Sequence, residues 1–356
     1  MFSAATHPGA DEIEVLVIGP GYGESIVVHL GEGDWIIVDS CTDTQNVPVA
    51  KSYLDFIGVR PHQVKHIIVS HWHDDHTRGI SALAEYYSSA RIGVSSILNS
   101  DEGKRFAAAF SGKAAHLTRG TAELFTIFRD QKARIVPLLH NVIVEHRGSK
   151  LVRALSPTPE CFFEARARIQ AAIPDRAHPP PLNEAPKFTP NNEAVALHID
   201  LGSFAILLGS DLESNNHGWK TVVVNPACDT LKKADFYKVA HHGSKTAECA
   251  EIWSVLLSPA PISMLTPYIN GGSRLPGTAD RQRILGQSLS FHISSHASSR
   301  PVMDKKISRR LESLGTSPIP LNPGLGAIRA RKKIDSDEGA AGWAVTYFGA
   351  AGRLHS

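Results

Sequence analysis

The sequence predicts an α/β fold. Short apolar runs such as Ile67-Ile68-Val69 and Ala205-Ile206-Leu207-Leu208 end in polar or glycine-containing turns and read as buried strands. Between them lie longer stretches with apolar residues at helical spacing. A third observation is one of position: the densest cluster of ionisable side chains directly follows a strand-like run.

Taken in order, residues 13–40 read as three successive strands, with glycine-containing turns at 19–23 and 31–33. A helix is expected over 47–58, stopped by Gly58 and followed by Arg60-Pro61. Residues 66–70 form the next strand and 78–88 the next helix. The Ala-rich stretch 104–134 places Phe106, Phe110, Leu117, Leu124, Phe125 and Phe128 at helical spacing and reads as two core-facing helices. Residues 151–155 read as a strand. Ala171 to Pro190 contains six prolines and reads as a long irregular flap that delivers the chain to Asn191-Asn192. Residues 194–200 and 203–208 make a hairpin around Leu201-Gly202, and 235–240 and 262–266 are further strands. Residues 281–312 hold helical pieces and the polar stretch Ser294 to Ser299. Gly342 to Phe348 is the expected last strand. No internal repeat is visible.

Bulk properties narrow the class. A chain of 356 residues with 42% hydrophobic and 20% charged residues fits a soluble globular protein. A net charge of +2 gives no global signature of nucleic-acid binding. Cys41, Cys161, Cys228 and Cys249 show no CxxC pairing and are expected to be reduced thiols in a cytoplasmic protein. Met1 to Glu12 lacks the basic and apolar regions of a secretory signal. No run approaches the roughly 18 apolar residues that suggest a membrane span.

The chemistry concentrates in His71-Trp72-His73-Asp74-Asp75-His76. Imidazole nitrogens and carboxylate oxygens are ligands for zinc-class metals. A loop fixed at its base by a strand can aim several side chains at one point. His71 and His73 can hold one ion, and Asp75 with His76 a second beside it. The alternative, a polar turn that happens to be rich in histidine, explains four ligand-type residues in six positions poorly. The glycines of Gly19-Pro20-Gly21-Tyr22-Gly23 do not make a dinucleotide loop, because a β-type run, Ser25 to Leu30, follows them instead of a helix.

His-x-His-x-Asp-His after a strand resembles the metallo-β-lactamase-fold hydrolases. The resemblance implies a four-layer αββα sandwich, here with an insertion or flap and a C-terminal extension, and a one- or two-metal site at one edge of the paired sheets. Val17 to Val28 and Trp35 to Ser40 look like the first strands, ending in Asp39, which buttresses the metal loop. Leu207-Leu208-Gly209-Ser210-Asp211 looks like the strand ending in a metal-bridging Asp, and Lys238 to Lys245 like the segment with the last His ligand. The early Gly-x-Gly turn, Asn191-Asn192 and His-His-Gly-Ser bring the chain nearest to the hydrolase domain of ComEC-type DNA-uptake proteins and their soluble stand-alone relatives. A weaker likeness is Ile262 to Leu265 followed by Asn270-Gly271-Gly272 and Pro276. The resemblance covers about residues 13–96 and 190–280. It implies one domain over 1–356, with a helical insertion and proline-rich flap over 97–190 and a family-variable insertion over 281–340.

By this resemblance two divalent ions, Zn or Mn, are held by His71, His73, Asp75, His76, Asp211 and one of His241 or His242. The pattern leans to His241 as ligand, with His242 meeting a phosphate or leaving group. Asp75, Asp211 and His242 are the expected catalytic residues. Asn191 or Asn192 stands where most relatives carry one more His, which weakens the preference for zinc, since an amide oxygen is a harder ligand than imidazole. Ser244, Lys245 and Thr246 are candidates for phosphate contact. His140, His146, His178, His198 and His217 lack partner spacing and are expected to be structural.

The function expected is a dinuclear metal-dependent hydrolase, a phosphodiesterase or nuclease in which a metal-bound hydroxide attacks phosphorus. Its partner is a phosphodiester or nucleic-acid substrate, and no membrane. Two rivals are a metal hydrolase of a carbonyl bond (lactone, thioester or β-lactam) and a non-catalytic metal-binding module in a defence or regulatory assembly.

Overall fold

A computed structural model describes residues 1–19, 22–110, 118–173, 190–270, 273–288, 290–296, 324–336 and 338–354. The first half alternates strands and helices: β1 Glu12–Gly19, β2 Ser25–His29, β3 Trp35–Val38, α1 Val49–Phe56, β4 Val64–Val69, α2 Asp74–Thr77, α3 Ile80–Tyr86, β5 Arg91–Ser95, α4 Ser96–Asn99, α5 Asp101–Phe110, α6 Thr118–Asp130 and β6 Ile135–Leu138. The hairpin β7 Ile143–Arg147 and β8 Lys150–Ala154 follows, then α7 Pro159–Ala172, β9 Leu197–Asp200, β10 Ala205–Leu208, α8 Trp219–Val223, β11 Ala234–Lys238 and β12 Leu257–Leu265. The remainder is β13 Tyr268–Asn270, β14 Ser273–Leu275, α9 Thr278–Leu285, β15 Ser290–Ile293, β16 Gly326–Lys333, β17 Ala344–Gly349 and β18 Gly352–Arg353.

Two eight-stranded sheets result, in the orders β17-β16-β1-β2-β3-β4-β5-β6 and β18-β15-β12-β11-β10-β9-β8-β7. In the first, β3 through β6 pair in parallel and the rest antiparallel. In the second, β10, β11, β12 and β15 are the parallel block. The two halves therefore repeat one plan, although no repeat shows in the sequence.

Alternation along the strands builds the layers. Ile13, Val15 and Val17 of β1 face Ile199, Ile206, Leu208 and Phe236 in the core between the sheets. Leu16 and Ile18, on the opposite face, pack with Tyr53, Leu54, Leu83, Phe106 and Leu124 from helices over the first sheet. Leu207 and Tyr237 turn outward to Trp219, Val222, Ile252 and Ile284 on the second. This is the four-layer αββα sandwich expected from the sequence. Phe106 and Phe110 are buried as their spacing implied.

The segments taken as insertions are not separate from the sheets. Residues 97–190 supply β6 to one sheet and the β7–β8 hairpin to the other. Residues 281–340 supply β15, and β16, which lies between β1 and β17. The flap begins as the end of α7, a helix with the Thr158 hydroxyl accepting from the Cys161 N–H at its N-terminus. Residues 174–189, most of the flap, lie outside the described residues. So does 297–323, including much of the stretch expected to hold helical pieces.

Candidate metal centre

Site residues sit where the parallel strands end. In open parallel blocks the carboxyl ends of strands gather ligand-binding loops. Asp39 follows β3 and the histidine-rich loop follows β4. Asp211 follows β10, His241 and His242 follow β11, and Thr266 follows β12. The two parallel blocks bring these ends to a common edge.

Three groups of candidate donors form there among the described residues; one, Asp39 with His71 and His76, has its Asp39 oxygen engaged by His76 and Ser70, and two face a cleft. Asp75, His76, Asp211 and His242 converge in one, and His71, His73 and Asp211 in the other. Asp211 belongs to both, the position of a bridging carboxylate. In the first group, His76 Nε2 is 3.4 Å from Asp211 Oδ2 and 3.6 Å from Asp75 Oδ2. His242 Nε2 is 3.4 Å from Oδ2 of both Asp75 and Asp211. In the second group, His71 Nε2 and His73 Nδ1 lie 3.1 Å apart. A tetrahedron of donors about 2.0–2.1 Å from a central ion has edges of roughly 3.4 Å, so these spacings suit a shared cation. The buried atoms His76 Nε2, His242 Nε2 and Asp211 Oδ1 have no hydrogen-bond partner in the protein. A buried polar atom left in that state is costly unless something else satisfies it. Spacing, donor chemistry and orphaned atoms together fit divalent ions.

The supporting hydrogen bonds select the tautomers. The Asp39 carboxylate accepts from the Ser70 N–H at 2.8 Å, the Ser70 hydroxyl at 2.7 Å and His76 Nδ1–H at 2.8 Å. With its hydrogen given to Asp39, the Ser70 oxygen accepts from His71 Nδ1–H at 2.9 Å. Both histidines then present a bare Nε2 to the centre, as a ligating imidazole must. Asp39 thus links Ser70 and His76 at the base of the histidine-rich loop.

Electrostatics describe the same demand for positive charge. Burial works against charge on His242, but Asp211 and Asp75 outweigh it and push the imidazole up to about 9. His76 is raised well above its ordinary value by the same carboxylates, again against burial. Burial alone would raise Asp75 and Asp211; the neighbouring imidazoles overcome it and hold both well below the carboxylate range. Without an ion, protons on His76 and His242 supply the charge that the two carboxylates require.

The last histidine is a correction. The sequence leaned to His241 as the ligand and gave His242 to the substrate. The structure exchanges their places. His242 is fully enclosed and joins the donor group, with Nδ1 held by the Thr266 carbonyl at 3.0 Å. His241 is turned away, with Nδ1 2.9 Å from the Thr246 hydroxyl and Nε2 3.2 Å from the Asn191 amide nitrogen. The cause is backbone conformation: both residues are left-handed (φ 48° and 53°), so the chain coils tightly after β11 and neighbouring rings part. Asn191 is buried and donates to Glu213 Oε1 at 3.3 Å. Its described contacts run to Glu213 and His241, not to His71 or His73, while its Oδ1 has no partner. Asn192 faces away and accepts from the Asn215 amide.

A cleft of about 400 Å³ opens on the centre, lined by His73, Asp75, Asp211, His241, His242 and the aromatic pair Tyr22 and Tyr268. The two tyrosine rings are 5.5 Å apart. Among the spare histidines, His140 and His198 bond to main-chain carbonyls and His217 pairs with Glu164. His146 lies in β7, and His178 is outside the described residues. Glu24, Lys238, Thr266 and Glu213 were given no role from sequence. A Lys within the buried run of β11 and a Glu opening a buried strand were the available signals, since such charges need partners.

Residues 18–153, from β1 through the histidine-rich loop to β8, match the family described as Metallo-beta-lactamase superfamily. That match takes in the first half of the sandwich, with the histidine-rich loop, and it is a likeness to a superfamily of metal-dependent hydrolases. Among solved structures the chain is similar to the metallo-beta-lactamase fold protein YhfI from Bacillus subtilis, at 14% identity over 80% of this chain and 95% of that one, with a TM-score of 0.43. It is also similar to MEM-A1, a subclass B3 metallo-beta-lactamase isolated from a soil metagenome library, at 15% identity over 66% and 79%, TM-score 0.37. A third is a HARLDQ motif mutant metallo-beta-lactamase from Cronobacter sakazakii, at 16% identity over 63% and 75%, TM-score 0.35. No curated protein sequence matches the chain.

Proposed function

We propose that the protein is a dinuclear metal-dependent phosphodiesterase or nuclease, related in its site to the hydrolase domain of ComEC-type proteins. The observation that carries this is the pair of donor groups sharing Asp211 at the floor of an accessible cleft. His71, His73 and Asp211 would hold one ion, and Asp75, His76, Asp211 and His242 the other. Two divalent ions so placed supply an activated water and a charge clamp for an in-line displacement at phosphorus. The protein's own part is geometric. Asp39 and Ser70 fix the imidazoles, Asp211 sets the spacing between the groups, and Asp75 and His242 close the second group. His241 lines the cleft beside them, held by Thr246, within reach of a substrate oxygen. The reading also places the protein in the cytoplasm, supported by four buried, unpaired cysteines. Among the described residues, no helix is long and apolar enough to cross a membrane.

The test is a hydrolysis screen of metal-loaded protein over bis(p-nitrophenyl) phosphate, DNA, RNA and cyclic nucleotides, against lactones, thioesters and β-lactams. Turnover of phosphodiesters is expected. Turnover confined to the carbonyl substrates would reject the reading, and so would metal uptake with no turnover of any of them.

A further inference from the structure

Glu24 and Lys238 form an ion pair at 2.6 Å, and neither has any exposed surface. One comes from the head of β2 in the first sheet, near Tyr22, and the other from the end of β11 in the second. Burying two charges costs several kcal/mol per ion, and apolar residues of like volume often stabilise a fold better. The cost calls for a reason, and the partners of the pair supply one.

Besides the strand pairing of Lys238, the bonds of these two residues lead to the donor group. The Glu24 main-chain N–H donates to the Asp75 carbonyl at 2.8 Å. The Lys238 ammonium donates to the Ser210 carbonyl at 3.2 Å, in the turn that presents Asp211. That Ser210 carbonyl also receives the His241 N–H. The Glu24 carboxylate accepts from the Thr266 hydroxyl, and the Thr266 oxygen lies 3.1 Å from His242 Nδ1. With its hydrogen drawn to Glu24, the Thr266 oxygen can only accept. His242 therefore carries its proton on Nδ1, shared between the Thr266 hydroxyl oxygen and carbonyl, and leaves Nε2 bare. Gly19 makes room for this arrangement: a Cβ there would stand 2.7 Å from Thr266 Cγ2.

We propose that the Glu24–Lys238 pair, acting through Thr266, is a positioning device for the metal centre that orients His242 and seats the Asp75 and Asp211 turns. It does for the second half what Asp39 and Ser70 do for the first. The proposal rests on the metal-centre reading but not on the choice of substrate.

The experiment measures uptake of Zn(II) or Mn(II), each alone, by metal-free full-length protein, using chelator competition and stoichiometry, together with the melting temperature of the metal-free form. Thr266→Val and Glu24→Gln should weaken one of the two ions by about ten- to a hundredfold, the range usual for groups behind a ligand. The other ion should lose clearly less, since only Asp211 is common to both groups, and Thr266→Ser should restore wild-type affinity. The double variant Glu24→Leu/Lys238→Met should lose the same ion affinity while its metal-free melting temperature holds or rises. Wild-type binding of both ions by Thr266→Val and Glu24→Gln would overturn the proposal. So would an equal loss of both ions that tracks a fall in metal-free stability, the mark of a purely structural pair. If the double variant does not fold, the single variants decide. A wild-type protein that takes up no ion would bring down the metal-centre reading and this proposal together.

Discussion

Asp211 is the residue on which both donor groups depend. Asp211→Ala should reduce ion stoichiometry from two to at most one and lower turnover by at least about a hundredfold, more than loss of a group behind a ligand costs. The fold should persist, since the cores lie elsewhere; near-normal turnover at saturating metal would show that Asp211 is not the bridge. The imidazoles predict a pH dependence. His242 titrates near 9 in the metal-free cluster, above its ordinary 6.5. An ion must displace that proton, so apparent affinity should climb as pH rises towards 9, with proton release measurable by calorimetry in buffers of different ionisation heat. The sign for metal-free stability is opposite. A raised imidazole stabilises the fold fully below pH 6.5, and that contribution is lost as pH rises through about 9, so melting temperature without metal should fall over that window. The sequence suggested Asn191 or Asn192 in place of one more His, and Asn191 lies beside His241 with its Oδ1 unpartnered. Asn191→His should move activity from manganese towards zinc; an unchanged metal preference would remove Asn191 from any such role. The loop donors were legible because they are contiguous after a strand. The choice between His241 and His242 was not, because it depends on two left-handed residues whose backbone conformation no motif in the sequence marks.

At the scale of elements, α6 shapes the metal loop. Gly120 near its start donates to the Asp74 carboxylate at 2.9 Å. A Cβ at Gly120 would lie 1.9 Å from the Trp72 carbonyl oxygen, a collision with backbone. Gly120→Ala should therefore push the helix off the loop, costing about 1–3 kcal/mol as overpacking does and lowering metal occupancy as well. A variant with wild-type melting temperature and ion content would show that the loop yields freely. Strands with clean apolar runs, such as β4 and β10, were readable from sequence. The missed strand β16, Gly326–Lys333, alternates apolar and cationic residues and looks polar. Its charges are matched only in three dimensions, with Arg331 on Glu14 and Lys332 on Asp235. The strand β6 was hidden by Pro137, which an edge strand tolerates. For α7 the Thr158-Pro159 start was a usable signal that the flanking prolines obscured.

For the whole molecule, donors from both sheets meet at one centre, so bound ions tie the two halves together. Ligand binding confined to the native state at a thousand times its dissociation constant adds about 4 kcal/mol. Stripping the metal should accordingly lower the melting temperature by several degrees, and adding it back should restore the loss. An identical melting temperature with and without chelator would mean that no tight site spans the sheets. The doubled plan of the sandwich was invisible in the sequence because the halves share strand order and pairing but not side chains. One half ends in His-x-His-x-Asp-His and the other in a lone Asp and a His pair.

The histidine-rich loop and its completing donors are far apart along the chain. His71 and His76 precede Asp211 and His242 in synthesis, and β5, α4 to α7 and β6 to β9 lie between them. A growing chain that has released the loop alone presents imidazoles with nothing opposite them. The buried coordination sphere comes into being when β10 and β11 dock, through contacts of long sequence separation that form slowly. On the proposed reading, loading with metal would then be a late event in the life of the chain, and an ion held tightly enough to resist dilution would certify that both halves have been assembled.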